Sequence, residues 1–254
     1  MSIKKLNGIL WANVKKVNGI AVTNIKKING IEAGGTVPKD WHVPTDAEWT
    51  TLTDYLGTNA GSKLAGSYEL WNDGTLRQST DFGTSGFNAL PAGSREGNGV
   101  FLNLGFYAFF WSSSESRAGY SWYRRLISGD SGVSRGDVNQ TRGYSVRCLR
   151  SVSPSESSDA DGTIYTDDYT GNDGTKYDSV KIGNQIWINE NLKETKYYDG
   201  TTIPRITNNT SWRYDTTGAR CEYNNDANNE SDTYGYLYNW YVVKNAKGLI
   251  NEDS

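Results

Sequence analysis

Cysteine and histidine are nearly missing from this 254-residue chain: there are two of the first, Cys148 and Cys221, and one of the second, His42. That set cannot build a disulfide framework or a closed zinc site, and leaves either one bridge or two free thiols. No run approaches the ~18 apolar residues of a spanning helix, and Met1 is followed by no apolar export segment. No membrane insertion is therefore expected, nor a signal peptide. A net charge of −3 with both signs interspersed supplies no field for nucleic acid. The glycine-rich stretches match neither a phosphate loop nor a dinucleotide fingerprint. His42 has no nucleophile with a recognisable partner beside it and is expected to be structural. The chain reads as a non-enzyme.

What is present is aromatic and turn-forming: nine Trp, seventeen Tyr and twenty-eight Gly in a chain only 36% hydrophobic. Such a composition predicts a β-rich globular protein. "IKKLNGI" at 3–9 returns as "VKKVNGI" at 14–20 and "IKKINGI" at 25–31, a period of eleven residues. Each Asn-Gly is a strong signal for a tight hairpin, and the runs 9–17 and 20–28 between them are rich in β-branched residues. Residues 1–35 are thus expected to form a small β-meander, marginal alone, serving as an anchoring or oligomerising arm with its Lys pairs guarding the edges. After Gly34-Gly35, "WHVPTDAEW" places Thr45 and Glu48 in a capping box and sets Trp49, Leu52 and Leu56 on one face, predicting a helix from about Asp46 to Leu56 that Gly57 ends. "SVSPSESSDADG", 151–162, reads as a flexible linker that divides the chain. Beyond it, "DGTKYDSVKIGNQIWINENLK" predicts a hairpin. "YGYLYNWYVVKNAKG", 234–248, predicts a helix with Leu237, Trp240, Tyr241 and Lys244 on one face, closed by Gly248. The oxygen-rich "YNNDANNESD", 223–232, has ligands calcium prefers but no EF-hand spacing; it reads first as a solvated turn, and no other cofactor is expected.

Taken together, "GTKYDSVKIGNQIWINENLK", "YNNDANNESDTYGYLYNWYVV", "PKDWHVPTDAEWTTL", "GFNALPAGSR", "FWSSSES" and "YSVRCLR" resemble successive motifs of the Fibrobacter succinogenes major paralogous domain family. The resemblance implies an α+β, C-type lectin-like domain akin to the formylglycine-generating enzyme fold. In the family "IGNQIW" and "LYNW" precede "WHVPTDAEW"; here they follow it. That rotation implies either a circular permutant, with 163–254 completing 36–150 across the 151–162 linker, or a swap between chains. A linker of about a dozen residues reaches roughly 20 Å as a coil, which favours closure within the chain. Family members often carry a cysteine before "P-x-x-W", where this chain has Val37; a Cys148–Cys221 bridge is left open, and the paired reactive cysteines of a formylglycine-type enzyme are not in evidence.

The stretch 116–142, "SRAGYSWYRRLISGDSGVSRGDVNQTR", holds five Ser, five Arg, four Gly and two Tyr but no Lys, Glu or Met. Tyr and Trp supply rigid contact area, Arg planar donors, Ser and Gly adaptable hydrogen bonds, which is the make-up of a binding loop. Most of these residue types are reachable by varying the adenines of an AAC codon. Lying between "FWSS" and "SVRC", the stretch is similar to the variable region of proteins diversified by retroelements. That likeness implies a fixed frame of Trp111, Trp122, Val133 and the Ser145 to Leu149 strand. The implied ligand-binding positions are Ser116, Arg117, Gly119, Tyr120, Tyr123, Arg125, Ile127, Ser128, Asp130, Ser134, Gly136, Asp137, Asn139, Thr141 and Arg142. The tandem "KKxNGI" repeats resemble segments of structural proteins of phages that infect Bacteroidetes-type hosts. Together these imply an oligomeric protein displayed on a virion or otherwise extracellular, held to other virion subunits by its arm and facing a host-surface glycan or protein. The alternative is a capsid or tail decoration, or a cell-surface paralogue, whose domain serves assembly.

Overall fold

The computed structural model describes residues 41–226, 230–245 and 248–250, with six two-residue strands between residues 5 and 32. These strands are β1 (Lys5–Leu6), β2 (Ile9–Leu10), β3 (Lys16–Val17), β4 (Ile20–Ala21), β5 (Lys27–Ile28) and β6 (Ile31–Glu32). They pair in register across each Asn-Gly: Leu6 with Ile9, Val17 with Ile20, Ile28 with Ile31. The hairpin signal holds three times over. Among the described residues each pair is its own two-stranded sheet; the rest of the expected meander, residues 11–15 and 22–26 included, lies outside them.

Helix α1 (Asp46–Leu56) begins where the capping box places it: the Thr45 side chain accepts from the Glu48 amide, while the Glu48 carboxylate accepts from the Thr45 amide. Trp49 and Leu52 are its buried face, and Gly57 ends it with φ 64°. Short helices α2 (Ala60–Leu64) and α3 (Thr75–Gln78) follow. The chain then turns to strands: β7 (Ala92–Arg95), β8 (Phe101–Leu104), β9 (Tyr107–Arg117), β10 (Tyr120–Ile127), β11 (Asp130–Asn139), β12 (Gly143–Tyr144) and β13 (Leu149–Ser151). After residues 151–162 come β14 (Ile164–Thr170), β15 (Lys176–Ile182), β16 (Gln185–Ile188), α4 (Asn209–Tyr214), β17 (Arg220–Cys221), α5 (Glu230–Tyr234), β18 (Leu237–Asn239) and α6 (Trp240–Val243). The expected hairpin is β15–β16, turning at Gly183-Asn184 with Ile182 opposite Gln185. This is a mixed α+β body, mostly sheet with few helices.

Two sheets organise it. The larger runs β11-β10-β9-β7-β12-β18-β17, with β8 on β7; the smaller runs β13-β16-β15-β14. Each contains strands from both sides of the 151–162 segment. Tyr144 of β12 pairs with Tyr238 of β18, and Leu149 of β13 with Trp187 of β16. Between the layers pack two large apolar clusters, one around Trp111, Tyr144 and Trp240, the other around Trp49, Phe110 and Trp187.

Two expectations need correcting. The 234–248 stretch is not one helix: Leu237–Asn239 is a strand, and only Trp240–Val243 is helical. Pairing with β12 and β17 overrides the three-and-four spacing, because the strand buries Leu237 and Tyr238 together. Residues 246–247 lie outside the described residues. Nor is 151–162 a loose coil. Glu156 binds Arg150 and the Ser153 amide and hydroxyl, and Asp161 accepts from Tyr55 and from the Gly183 amide. Cys148 and Cys221 are both free and buried.

Three fully buried arginines staple the halves. Arg147 donates to the Phe87, Asn88 and Ile188 carbonyls and to Asn191 Oδ1, all within 2.7–2.9 Å. Arg95 donates to the Ile206 and Thr207 carbonyls and lies 4.3 Å over the Trp212 ring. Arg150 pairs with Glu156 at 2.8 Å and Asp168 at 2.7 Å. Such groups are tolerated inside because each donor meets an acceptor.

Candidate functional site

Strands β9, β10 and β11 form an antiparallel meander at the free end of the large sheet, with β11 as its edge. The stretch 116–142 occupies the end of β9, all of β10 and β11, and the turns around them. Directly opposed residues share a face, so register sorts the side chains. Tyr123 opposes Gly136 and Arg125 opposes Ser134, which with Ile127 puts five of the expected positions on one face. Arg124 opposes Arg135 on the other.

That other face is structural. Arg124 is only 2% exposed and donates to Asp46 Oδ1 at 2.6 Å and to Thr50. Arg135 grips the same Asp46 carboxylate at 2.8 Å while stacking 3.4 Å over Trp122. Burial works against ionising Asp46, yet the hydrogen bonds from Arg135 and Arg124 hold its carboxyl below the ordinary range. Next to it His42 Nε2 meets Glu48 Oε1 at 2.7 Å. Burial again opposes, but the bonds from His42 and Thr45 bring Glu48 down to about 2. His42 therefore buttresses the helix start, as its sequence context suggested.

The first face carries an aromatic chain. Phe109 stacks on Tyr144 at 4.6 Å, Tyr123 meets both rings edge-on, and Tyr107 abuts Phe109. Tyr123 lies across Gly136: a Cβ there would come 2.7 Å from the Tyr123 hydroxyl. Arg125 caps this chain, 5.4 Å over Tyr107, with its Nε buried and without a hydrogen-bond partner among the described residues. At the tip of the hairpins Arg117 stacks 3.9 Å over Tyr120 and pairs with Asp137 at 2.7 Å, and the Ser116 hydroxyl lies within donating distance of the same carboxylate and of the Tyr120 carbonyl. Gly119, φ 76°, turns β9 into β10 in open space, and Asp130 is exposed at the next turn.

Asn139 ends β11 opposite Tyr120, and Thr141 and Arg142 lie beyond the strand. They line an open groove of about 760 Å³ with the 96–98 turn of β7–β8 and the end of α4. Arg142 pairs there with Glu96 at 2.8 Å. Ser128 is the exception among the expected positions. It is 6% exposed, and its carbonyl accepts from Leu76 at the start of α3, so its surroundings bury it. Of the expected frame, Trp111 is buried with Nε1 bonded to the Tyr238 carbonyl at 2.8 Å, and Val133 packs on the second cluster.

Sequence reasoning passed over Leu102, Glu96, Arg213 and Tyr214, which complete the groove from elsewhere in the chain. The one available signal was the aromatic and Arg residues of "SWRY", of which Arg213 and Tyr214 are exposed and Trp212 is buried. At 223–232, no group of three or more Asp, Glu, His or Cys is placed to hold a metal ion among the described residues, and 227–229 lie outside them. No curated protein and no solved structure matches the chain. The model of the Fibrobacter succinogenes major domain, however, matches residues 11–150 and 180–253. With most of its length so matched, and with both matched segments joined in common sheets, the chain belongs to the Fibrobacter succinogenes major domain family.

Proposed function

We propose that this chain is a non-enzymatic binding protein, displayed on a virion, that presents the β9–β11 rim to a glycan or protein of a bacterial host surface. In this reading the body is a C-type lectin-like fold whose motif order is circularly permuted, and residues 1–35 dock it on sister subunits or other virion proteins. Pairing of β12 with β18 and of β13 with β16 inside one chain supports closure without a swap. The observation that carries the proposal is the disposition of 116–142. Apart from Ser128, every expected binding position is at least partly exposed, most of them at the sheet's free end, while the intervening Ser121, Arg124 and Leu126 are buried. A surface of that kind can change its side chains without changing its support.

Retroelement diversification belongs to the same proposal. It requires adenine-derived codons at those positions and a near-identical template beside the gene. The decisive measurement is adhesion of the labelled full chain to intact bacteria, before and after Tyr123→Ala with Arg125→Ala. Adhesion that disappears while the melting temperature stays within a few degrees supports recognition. Unchanged adhesion, with natural variation spread over all exposed loops of sibling proteins, would favour an assembly protein of a capsid, tail or cell surface. The three Asn-Gly hairpins at the N-terminus are the feature that favours this second reading.

A further inference from the structure

We infer that the groove at the foot of the rim is a subsite for a carboxylated sugar, a uronic-acid-type unit of a surface glycan. The inference rests on the binding reading above and gives it a ligand class. Asn98 Oδ1 already accepts from the Val100 amide at 3.1 Å, and Asn139 Oδ1 from the Thr141 amide and hydroxyl at 2.9 and 2.8 Å. Both amides have their acceptor engaged, and neither NH2 has an acceptor among the described residues. Arg142 is neutralised by Glu96, whereas Arg213, exposed on α4, has no ion pair among the described residues.

Donors thus outnumber acceptors in the groove, with one positive charge uncompensated; a fitting ligand brings acceptors and a negative charge. The same walls hold two apolar surfaces, Leu102 at 44% exposed and Tyr214 at 71%, the latter with the Arg213 guanidinium 5.6 Å from its ring. An inorganic anion would use Arg213 and leave both surfaces wet. A neutral sugar would cover them and leave the guanidinium unmatched. A pyranose carboxylate answers both, laying its C–H face on Tyr214 and offering two oxygens to the planar fork of Arg213.

The test is calorimetric titration of the full chain with a short oligouronate, its methyl ester and a poly-glutamate peptide, repeated with Arg213→Gln and Tyr214→Ala. Both side chains are exposed, so the variants keep the fold. The expected result is binding of the oligouronate alone, weakened about tenfold or more by esterification or by Arg213→Gln, and also weakened by Tyr214→Ala. Equal binding of the methyl ester, no effect of Arg213→Gln, or poly-glutamate binding as tightly would overturn it, the last in favour of an acidic peptide. If the oligouronate does not bind but cell adhesion depends on Tyr123 and Arg125, the subsite is wrong and the recognition reading stands. If the oligouronate binds but the chain adheres to no cells, the reverse holds.

Discussion

Arginine serves opposite ends in two regions of this protein. At the seam between the halves, Arg147 spends its donors on three backbone carbonyls and one amide oxygen, with no exposed atom. On the rim, Arg117 lies over the Tyr120 ring at the surface and pairs with Asp137, while half-buried Arg125 lies over Tyr107. The difference lies in what surrounds the guanidinium. Where main-chain carbonyls from distant segments converge, a planar five-donor group can replace a hydrophobic plug and fix their relative position. Where a sheet ends, the same group has water as its alternative partner and stays available to a ligand.

The sharpest way to break that comparison is Arg147→Ala. It strands the Phe87, Asn88 and Ile188 carbonyls in a dry site and opens a cavity, so a loss of at least about 3 kcal/mol is expected. Denaturant unfolding measures it, and Arg117→Ala on the rim should move the same midpoint hardly at all. The second half holds, among the described residues, a poorly matched buried group of its own. Glu194 is fully buried, one of its oxygens has no partner, and Gly171 packs so close that a Cβ would sit 1.6 Å from that oxygen. Burial, with Asp173 nearby, pushes its carboxyl from 4.5 up to about 8. Between those two values the folded chain holds a proton that the unfolded chain has released, so stability falls as pH rises through the window. Glu194→Gln should remove that slope and raise stability at pH 9 by an amount on the order of a few kcal/mol, with little change at pH 4.5. Melting curves at the two pH values decide it.

Local chemistry was the legible part of this fold. The Thr45–Glu48 box, the β15–β16 hairpin and the pairing across the Asn-Gly steps each depend on a few adjacent residues, and each falls in the stretch where the sequence places it. What escaped was assembled at a distance. The 237–239 strand exists because β12 and β17 flank it, and no local period announces such neighbours. The buried arginines sit in "AGSR" and "SVRCLR", where a charge among apolar strand residues was the only hint that carbonyls would be waiting. The groove joins residues 96–102, 139–142 and 213–214, three stretches that nothing in the chain order brings together. Only the 139–142 part was foreseen, by composition. Within "YRRL" strand alternation sends Arg124 inward and Arg125 outward, a separation that one residue of register decides.

The smallest expected effects sharpen what a tolerant surface means. Gly119 and Gly136 are both expected to vary, and they differ physically. Gly119 has nothing within 4 Å of an added Cβ but sits at φ 76°, so Gly119→Ala should cost about 1 kcal/mol through the backbone alone. Gly136 has an ordinary strand conformation, and its nearest obstacle is the far end of the Tyr123 ring, 2.7 Å from the added atom. That ring can swing outward, so Gly136→Ala should cost less, on the order of 0.5 kcal/mol. It should nevertheless shift the ring resonances of Phe109 and Tyr144, on which Tyr123 rests. If Gly136→Ala proves more damaging than Gly119→Ala, then Tyr123 is locked rather than mobile, and the aromatic face is part of the core it borders. If the order is as expected, a single methyl at the edge strand re-aims a tyrosine at the surface while the arginine-stapled seam is undisturbed, which is the mechanical requirement for a binding face that varies.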